Sequence, residues 1–232
     1  VRYTTIAGEL RNRKESWENF EQGVIRFLFG LAKKVLLANS FAQIADSIFA
    51  QTSDQLSTSA AWLGIAAYTL QIYFDFSGYS DMAIGLGRIF GFHFLENFNY
   101  PYVAISIKDF WRRWHISLST WFRDYVYIPL GGNRGSKGKH LRNLLIVRGL
   151  TGFWHGAAWT YLLWGIYYAV LLIGERYIWG KILEKLPKIV QHVYALFFIL
   201  IGWLIFRAVD INQLFTFLTI LCGAAGTGVW DH

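Results

Sequence analysis

Cysteine is almost missing from this 232-residue chain, with Cys222 its only example. An intrachain disulfide and a cysteine-ligated zinc cluster are therefore excluded. Methionine is as scarce. The single Met82 lies inside a chain that opens on Val1 without a basic-then-apolar leader, so the sequence reads as an internal part of a longer protein. Charge is the third shortage: 16% of residues are charged, against roughly 25% in an average soluble domain. Several motifs are missing as well. No register of Gly131–Arg142 fits a phosphate-cradling loop. There is no Gly-x-Ser-x-Gly elbow of the serine hydrolases. No RNA-binding or helix-turn-helix pattern occurs, so no nucleic-acid partner is expected. The formal net charge of +7 points instead to cytoplasmic loops facing anionic lipid head groups.

What is present is apolar and aromatic: 54% hydrophobic residues and 19% Phe, Trp and Tyr. This composition indicates a multi-spanning membrane protein with aromatic anchors at the interfaces. Residues 1–20 read as a basic cytoplasmic loop. Residues 20–49 are helical in pattern, but Arg26, Lys33 and Lys34 are too much charge for a simple span. An interfacial or bundle-packed helix fits better, with the two lysines snorkelling to head groups. Uncharged windows follow at 55–74, 149–174, 189–206 and 211–230, each close to the roughly 20 residues that a bilayer core takes. The first runs into Asp75-Phe76-Ser77-Gly78-Tyr79-Ser80-Asp81. This stretch reads either as polar backbone facing a water-filled cavity or as a turn between spans. Residues 82–98 continue as a Gly-rich apolar segment with an interfacial His93. Loops on both sides of 143–174 are basic. If both face the cytoplasm, the segment enters and returns, with roughly 16 residues or about 24 Å per limb; if it crosses once, one basic loop lies outside, against the usual bias.

Two stretches carry chemistry. Phe153-Trp154-His155-Gly156-Ala157-Ala158-Trp159 places one imidazole in an uncharged run. A histidine at that depth requires a partner or a function, and Gly156 leaves room for close approach. In 105–130, helical spacing would put Trp111, His115 and Ser119 on one face and pair Asp109 with Arg112 or Arg113, with Pro129 ending the element. His115 and His155 lack a third protein ligand at metal spacing, so no metal site is expected.

Trp111–Trp121, then Arg123-Asp124-Tyr125-Val126-Tyr127-Ile128-Pro129-Leu130-Gly131-Gly132-Asn133, then Trp154-His155-Gly156-Ala157 resembles the membrane-bound O-acyltransferases. The branch most resembled is that of the bacterial alginate and peptidoglycan O-acetyltransferases. Tyr73–Ala83, Val1-Arg2-Tyr3 and Gly30-Leu31-Ala32-Lys33-Lys34 match the same branch. The resemblance covers nearly all of the chain and makes 1–232 one partial domain, with helices missing at both ends. Arg148 is an oddity in a stretch otherwise apolar.

The resemblance implies an all-α fold, a polytopic transmembrane helical bundle with interfacial or re-entrant helices around a membrane-embedded tunnel, in a bacterial cytoplasmic membrane that the chain crosses several times. It makes His155 the active-site histidine and His115 the second histidine position. A neutral imidazole can act as general base on a hydroxyl, and a second can orient that hydroxyl or donate to the oxyanion. Trp111, Ser119, Trp154, Gly156 and Asp81 are the expected substrate-binding residues. No tightly bound cofactor is expected. The acyl donor would be acetyl-CoA or an acyl carrier, and the partners membrane lipids and a polysaccharide or an extracytoplasmic acetylation protein. Two alternatives stay open: D-alanyl transfer to teichoic acid, or a non-catalytic acyl conduit working with a partner transferase.

Overall fold

The computed structural model describes residues 3–223, and among these no strand occurs. Eleven α-helices alternate with short turns and two π-helical segments. They are α1 (Tyr3–Asn12), α2 (Trp17–Ala32), α3 (Asn39–Phe49), α4 (Thr58–Ile89), α5 (Ile107–Arg113), α6 (Ile116–Phe122), α7 (Lys137–His155), α8 (Trp159–Tyr177), α9 (Gly180–Leu183), α10 (Lys188–Arg207) and α11 (Ile211–Leu221). Five helices open on a side-chain cap, which satisfies a backbone N–H that the first turn leaves free. Ser16, Ser57, Ser106, Ser136 and Asp210 accept from Asn19, Ala60, Asp109, Lys139 and Gln213.

The longest element is α4, with 32 residues. It runs straight through Asp75–Asp81, so this stretch is not a turn between spans; Asp75, Phe76 and Tyr79 instead line a cavity, as the other reading of the stretch had it. The polar residues need no break because a neighbouring helix answers them. A π-helical segment, Lys33–Ala38, joins α2 to α3. From it Lys34 pairs with Asp75, and Lys33 donates to Asp81 Oδ2 at 2.6 Å. Arg26 of α2 donates to the other oxygen of Asp81 at 2.6 and 2.9 Å and also reaches Glu96. The lysines thus reach carboxylates of α4 rather than head groups. Glycine makes this proximity possible. A Cβ on Gly30 would stand 2.5 Å from the carbonyl oxygen of Gly78, and one on Gly78 2.6 Å from that of Gly30. Small residues at such crossings let helix backbones touch in membranes.

Helices α7 and α8 form an antiparallel hairpin closed at 156–158, so the chain reverses within 143–174. A Cβ on Gly152 would meet the carbonyl oxygen of Tyr161, and one on Gly165 that of Arg148, each at 2.3 Å. The apolar core lies where α5, α8 and α10 meet, built on Phe110, Trp111, Trp164, Tyr168 and Trp203. Among the described residues, α10 is the one helix long and apolar enough to cross a membrane by length and composition. Helix α11 covers the start of the last uncharged window, and residues 224–230 of that window lie outside the described residues.

Candidate active site

A cavity of about 450 Å³ opens between α4, α5, α6, α7, α8 and α10, and both His115 and His155 line it. Trp111 and Ser119 line it too. The three residues expected on one helical face therefore meet the same space, by a different route. The single helix expected over 105–130 is broken at His115, which has φ 43° and ψ 56°. A non-glycine residue in this left-handed region is uncommon and strained. The surroundings hold it there. Asn97 accepts from Ser117 N–H at 3.0 Å and from the Ser117 hydroxyl at 2.9 Å, and its carbonyl accepts from Ile116 N–H at 2.9 Å. Asn99 N–H donates back to Arg113 O at 3.0 Å. The helical pairing expected of Asp109 goes to Arg113, at 3.0 Å.

Glu175 of α8 positions α5. Its two carboxylate oxygens accept from the backbone N–H of Ile107 at 2.6 Å and of Lys108 at 3.0 Å. An acid at a helix start complements both the free N–H groups and the helix dipole. Nothing in the local sequence marks Glu175, because its partners lie 68 and 67 positions away.

The two cavity histidines differ from the other three among the described residues. His93 bonds to Glu9, His140 to the Tyr177 hydroxyl, and His192 to Ala104 O. His115 and His155 have only ring neighbours among the described residues. His115 lies 4.7 Å from Phe76 and 6.3 Å from Trp154, centroid to centroid. His155 lies 4.9 Å from Trp154, 5.0 Å from Phe206 and 5.2 Å from Trp164. Aromatic walls hold each imidazole by shape while leaving its nitrogens unclaimed.

The remaining expected residues are placed differently. Trp154 is 59% exposed and stands beside both imidazoles without lining the cavity. Gly156 ends α7. A Cβ there would stand 2.8 Å from the Tyr161 ring, so this glycine lets Tyr161 close on His155. Asp81, expected to touch substrate, lies outside the cavity in the Arg26–Lys33 cluster. The reason is geometric: Asp81 belongs to the face of α4 that meets α2, whereas Ile72 and Phe76 belong to the face lining the cavity. Sequence reading also left out Thr151, Trp164, Trp203 and Phe206, which line the cavity. Thr151 and Arg148 had a usable signal, since 148, 151 and 155 share one face of a helix.

Comparison with known proteins gives the family. The family model described as "MBOAT, membrane-bound O-acyltransferase family" matches residues 7–209. The chain belongs to the membrane-bound O-acyltransferase family. It is 48% identical over 212 residues to the probable alginate O-acetylase AlgI of Azotobacter vinelandii, covering 91% of this chain and 42% of the relative. It is 40% identical over 221 residues to the peptidoglycan O-acetyltransferase of Helicobacter pylori, covering 94% and 42%. A teichoic acid D-alanyltransferase of Bacillus subtilis is 38% identical over 154 residues, 60% of this chain and 39% of that one. The chain thus spans about two fifths of the length of these O-acyltransferase relatives. Both imidazoles lie within the part the family model matches, and membership makes a membrane the setting of this bundle.

Proposed function

We propose that this chain carries the transfer site of a membrane-embedded O-acyltransferase that moves an acetyl group from a cytoplasmic donor towards hydroxyls of an extracytoplasmic polysaccharide. The observation that carries this reading is the pair of imidazoles without protein hydrogen bonds in one cavity, inside the matched family region. In the proposed reaction a ring nitrogen of His155 takes the proton of the acceptor hydroxyl as its oxygen attacks the donor's acyl carbon. The resulting oxyanion accepts a hydrogen bond from His115. The carbonyl reforms, the bond to the donor's sulfur breaks, and the proton on His155 leaves with the thiol. The donor would be acetyl-CoA or an acyl carrier, free to dissociate. The acceptor would be the polymer itself or an extracytoplasmic protein that passes the group on.

Several further assignments support the same reading. Trp111 and Ser119 would flank the reacting groups, because both line the cavity. Trp154 and Gly156 would act by holding the His155 ring. The α7–α8 hairpin would enter the bilayer and return, and α10 would span it, in a bacterial cytoplasmic membrane that the whole protein crosses several times.

The test is His155→Ala in the full-length protein, with acetylation of the surface polymer measured by compositional mass spectrometry. Loss of acetyl groups at normal expression is expected, by 100-fold or more on the order of what a general base contributes. Retained acetylation would rule the base assignment out. The teichoic acid relative favours a second reading, D-alanyl transfer. The same spectra separate the two, since alanyl and acetyl esters differ in mass.

A further inference from the structure

Five charged side chains line the cavity: Lys34, Asp75, Lys108, Arg112 and Arg148. Lys34 and Asp75 pair with each other. The other three are all cations, and none forms an ion pair among the described residues; the nearby Asp109 is taken by Arg113. Lys108 and Arg112 are exposed, whereas Arg148 is partly buried on α7. Its guanidinium lies 4.1 Å from the centre of the Trp111 ring. Stacking on an indole favours a cation but satisfies none of its N–H donors. The surroundings add further unanswered donors. The indole N–H of Trp111, the indole N–H of Trp164 and the hydroxyl of Tyr168 are buried without a partner. A cation withdrawn from water without an acid is costly, and it becomes favourable when an anion arrives.

The spacing along α7 says where that anion would sit. Arg148, Thr151 and His155 line the cavity from one helical face. Seven residues at 1.5 Å each put Arg148 about 10 Å along the axis from His155. We propose that Arg148 is a specificity-determining residue that holds an oxyanion of the substrate, a phosphate or a carboxylate, while His155 acts on the reacting hydroxyl two helical turns away. This rests on the acyl-transfer reading of the cavity. Lys108 and Arg112, at its exposed side, would draw the anion in. A guanidinium suits either group because its fork matches both in bidentate fashion. A phosphate would come with the acyl donor, and a carboxylate with an acidic sugar acceptor.

The experiment uses the full-length protein in lipid nanodiscs. The donor arm compares acetyl-CoA with S-acetylpantetheine, which lacks the phosphates. The acceptor arm compares an oligouronate with its neutral oligosaccharide counterpart. In wild type the charged member of one pair should have the lower KM. Arg148→Met should collapse that preference by about 10- to 100-fold, the range of a hydrogen bond to a charged group. A collapse in the donor arm identifies a phosphate, and one in the acceptor arm a carboxylate. Arg148→Lys keeps the charge without the fork and should retain part of the preference. If the methionine variant does not fold, the lysine variant carries the comparison, with about a 3- to 10-fold collapse expected from the lost bidentate geometry. An unchanged preference in both arms, or an equal rise in KM for charged and neutral members, overturns the proposal. His155→Ala is assayed alongside. Retained transfer there, with the preference of the arginine variant collapsed, would remove the base and leave the anion site standing. Lost transfer with the preference intact would do the reverse.

Discussion

Two regions of this molecule hold polar side chains within a few helical turns of each other, and they treat them in opposite ways. Along the contact of α4 with α2 and the π-helical segment both aspartates have an answer: Asp81 takes Arg26 on one oxygen and Lys33 on the other, and Asp75 takes Lys34. The glycine contact at Gly30 and Gly78 presses the backbones together around them. Around the cavity, His115, His155 and Arg148 stand against aromatic rings without a hydrogen bond or ion pair among the described residues. Satisfied polar groups in low dielectric rigidify a fold, and each unsatisfied one calls for an explanation. Both regions look alike in sequence, as polar residues interrupting apolar runs. Only the partners distinguish them.

That contrast can be broken from either side. The largest expected effect is on the satisfied side. Asp81→Ala leaves Lys33 without its acid and Arg26 with Glu96 alone, so it should cost about 3 kcal/mol, the low end for a broken buried pair because the cations are partly exposed. The readout is the thermal midpoint of the full-length protein in detergent. A midpoint unchanged beside a large loss of transfer would place Asp81 in the chemistry after all. Next comes His115→Ala on the unsatisfied side. Transfer should fall about 100-fold, as for loss of one oxyanion donor, while the thermal midpoint moves little. Wild-type activity in that variant would reduce His115 to packing.

The smallest effect sharpens the comparison at a histidine that has a partner. His140 is 4% exposed at the start of α7, and its Nδ1 lies 2.8 Å from the Tyr177 hydroxyl. Burial, and then the nearby Arg176, hold its pKa below the usual imidazole value of 6.5. The folded state therefore binds its proton less readily than the unfolded one. Stability is fully present above about pH 6.5 and falls as the pH drops below it, where the unfolded imidazole takes up a proton. A modest drop in the thermal midpoint between pH 7 and pH 5, removed by His140→Phe, is the expected result. An identical pH dependence in that variant would assign the drop to other groups.

Much of this was legible beforehand. The helical class followed from an apolar, aromatic chain with uncharged windows of bilayer length. His155 announced itself as an imidazole inside such a window. Basic loops at both ends of 143–174 left a return path and a single crossing both open, and the chain reversal between α7 and α8 is seen only in the structure. Local pattern misled where tertiary partners decided the outcome. Ser77 and Gly78 suggested a break, yet α4 is continuous because Gly78 serves a helix crossing rather than a turn. Trp111, His115 and Ser119 suggested one helix, yet Asn97 from a preceding loop supplies the hydrogen bonds that make a break at His115 affordable.

By itself the sequence determined the helical class, the run of apolar segments and the two histidines to watch, because composition and periodicity are properties of the chain taken locally. Tertiary structure alone decided which polar residues were neutralised and which were left waiting. Asp81 meets its cations across 55 and 48 positions, and Arg148 meets an indole instead of an acid. Charge satisfaction depends on distance through space, which no local pattern encodes.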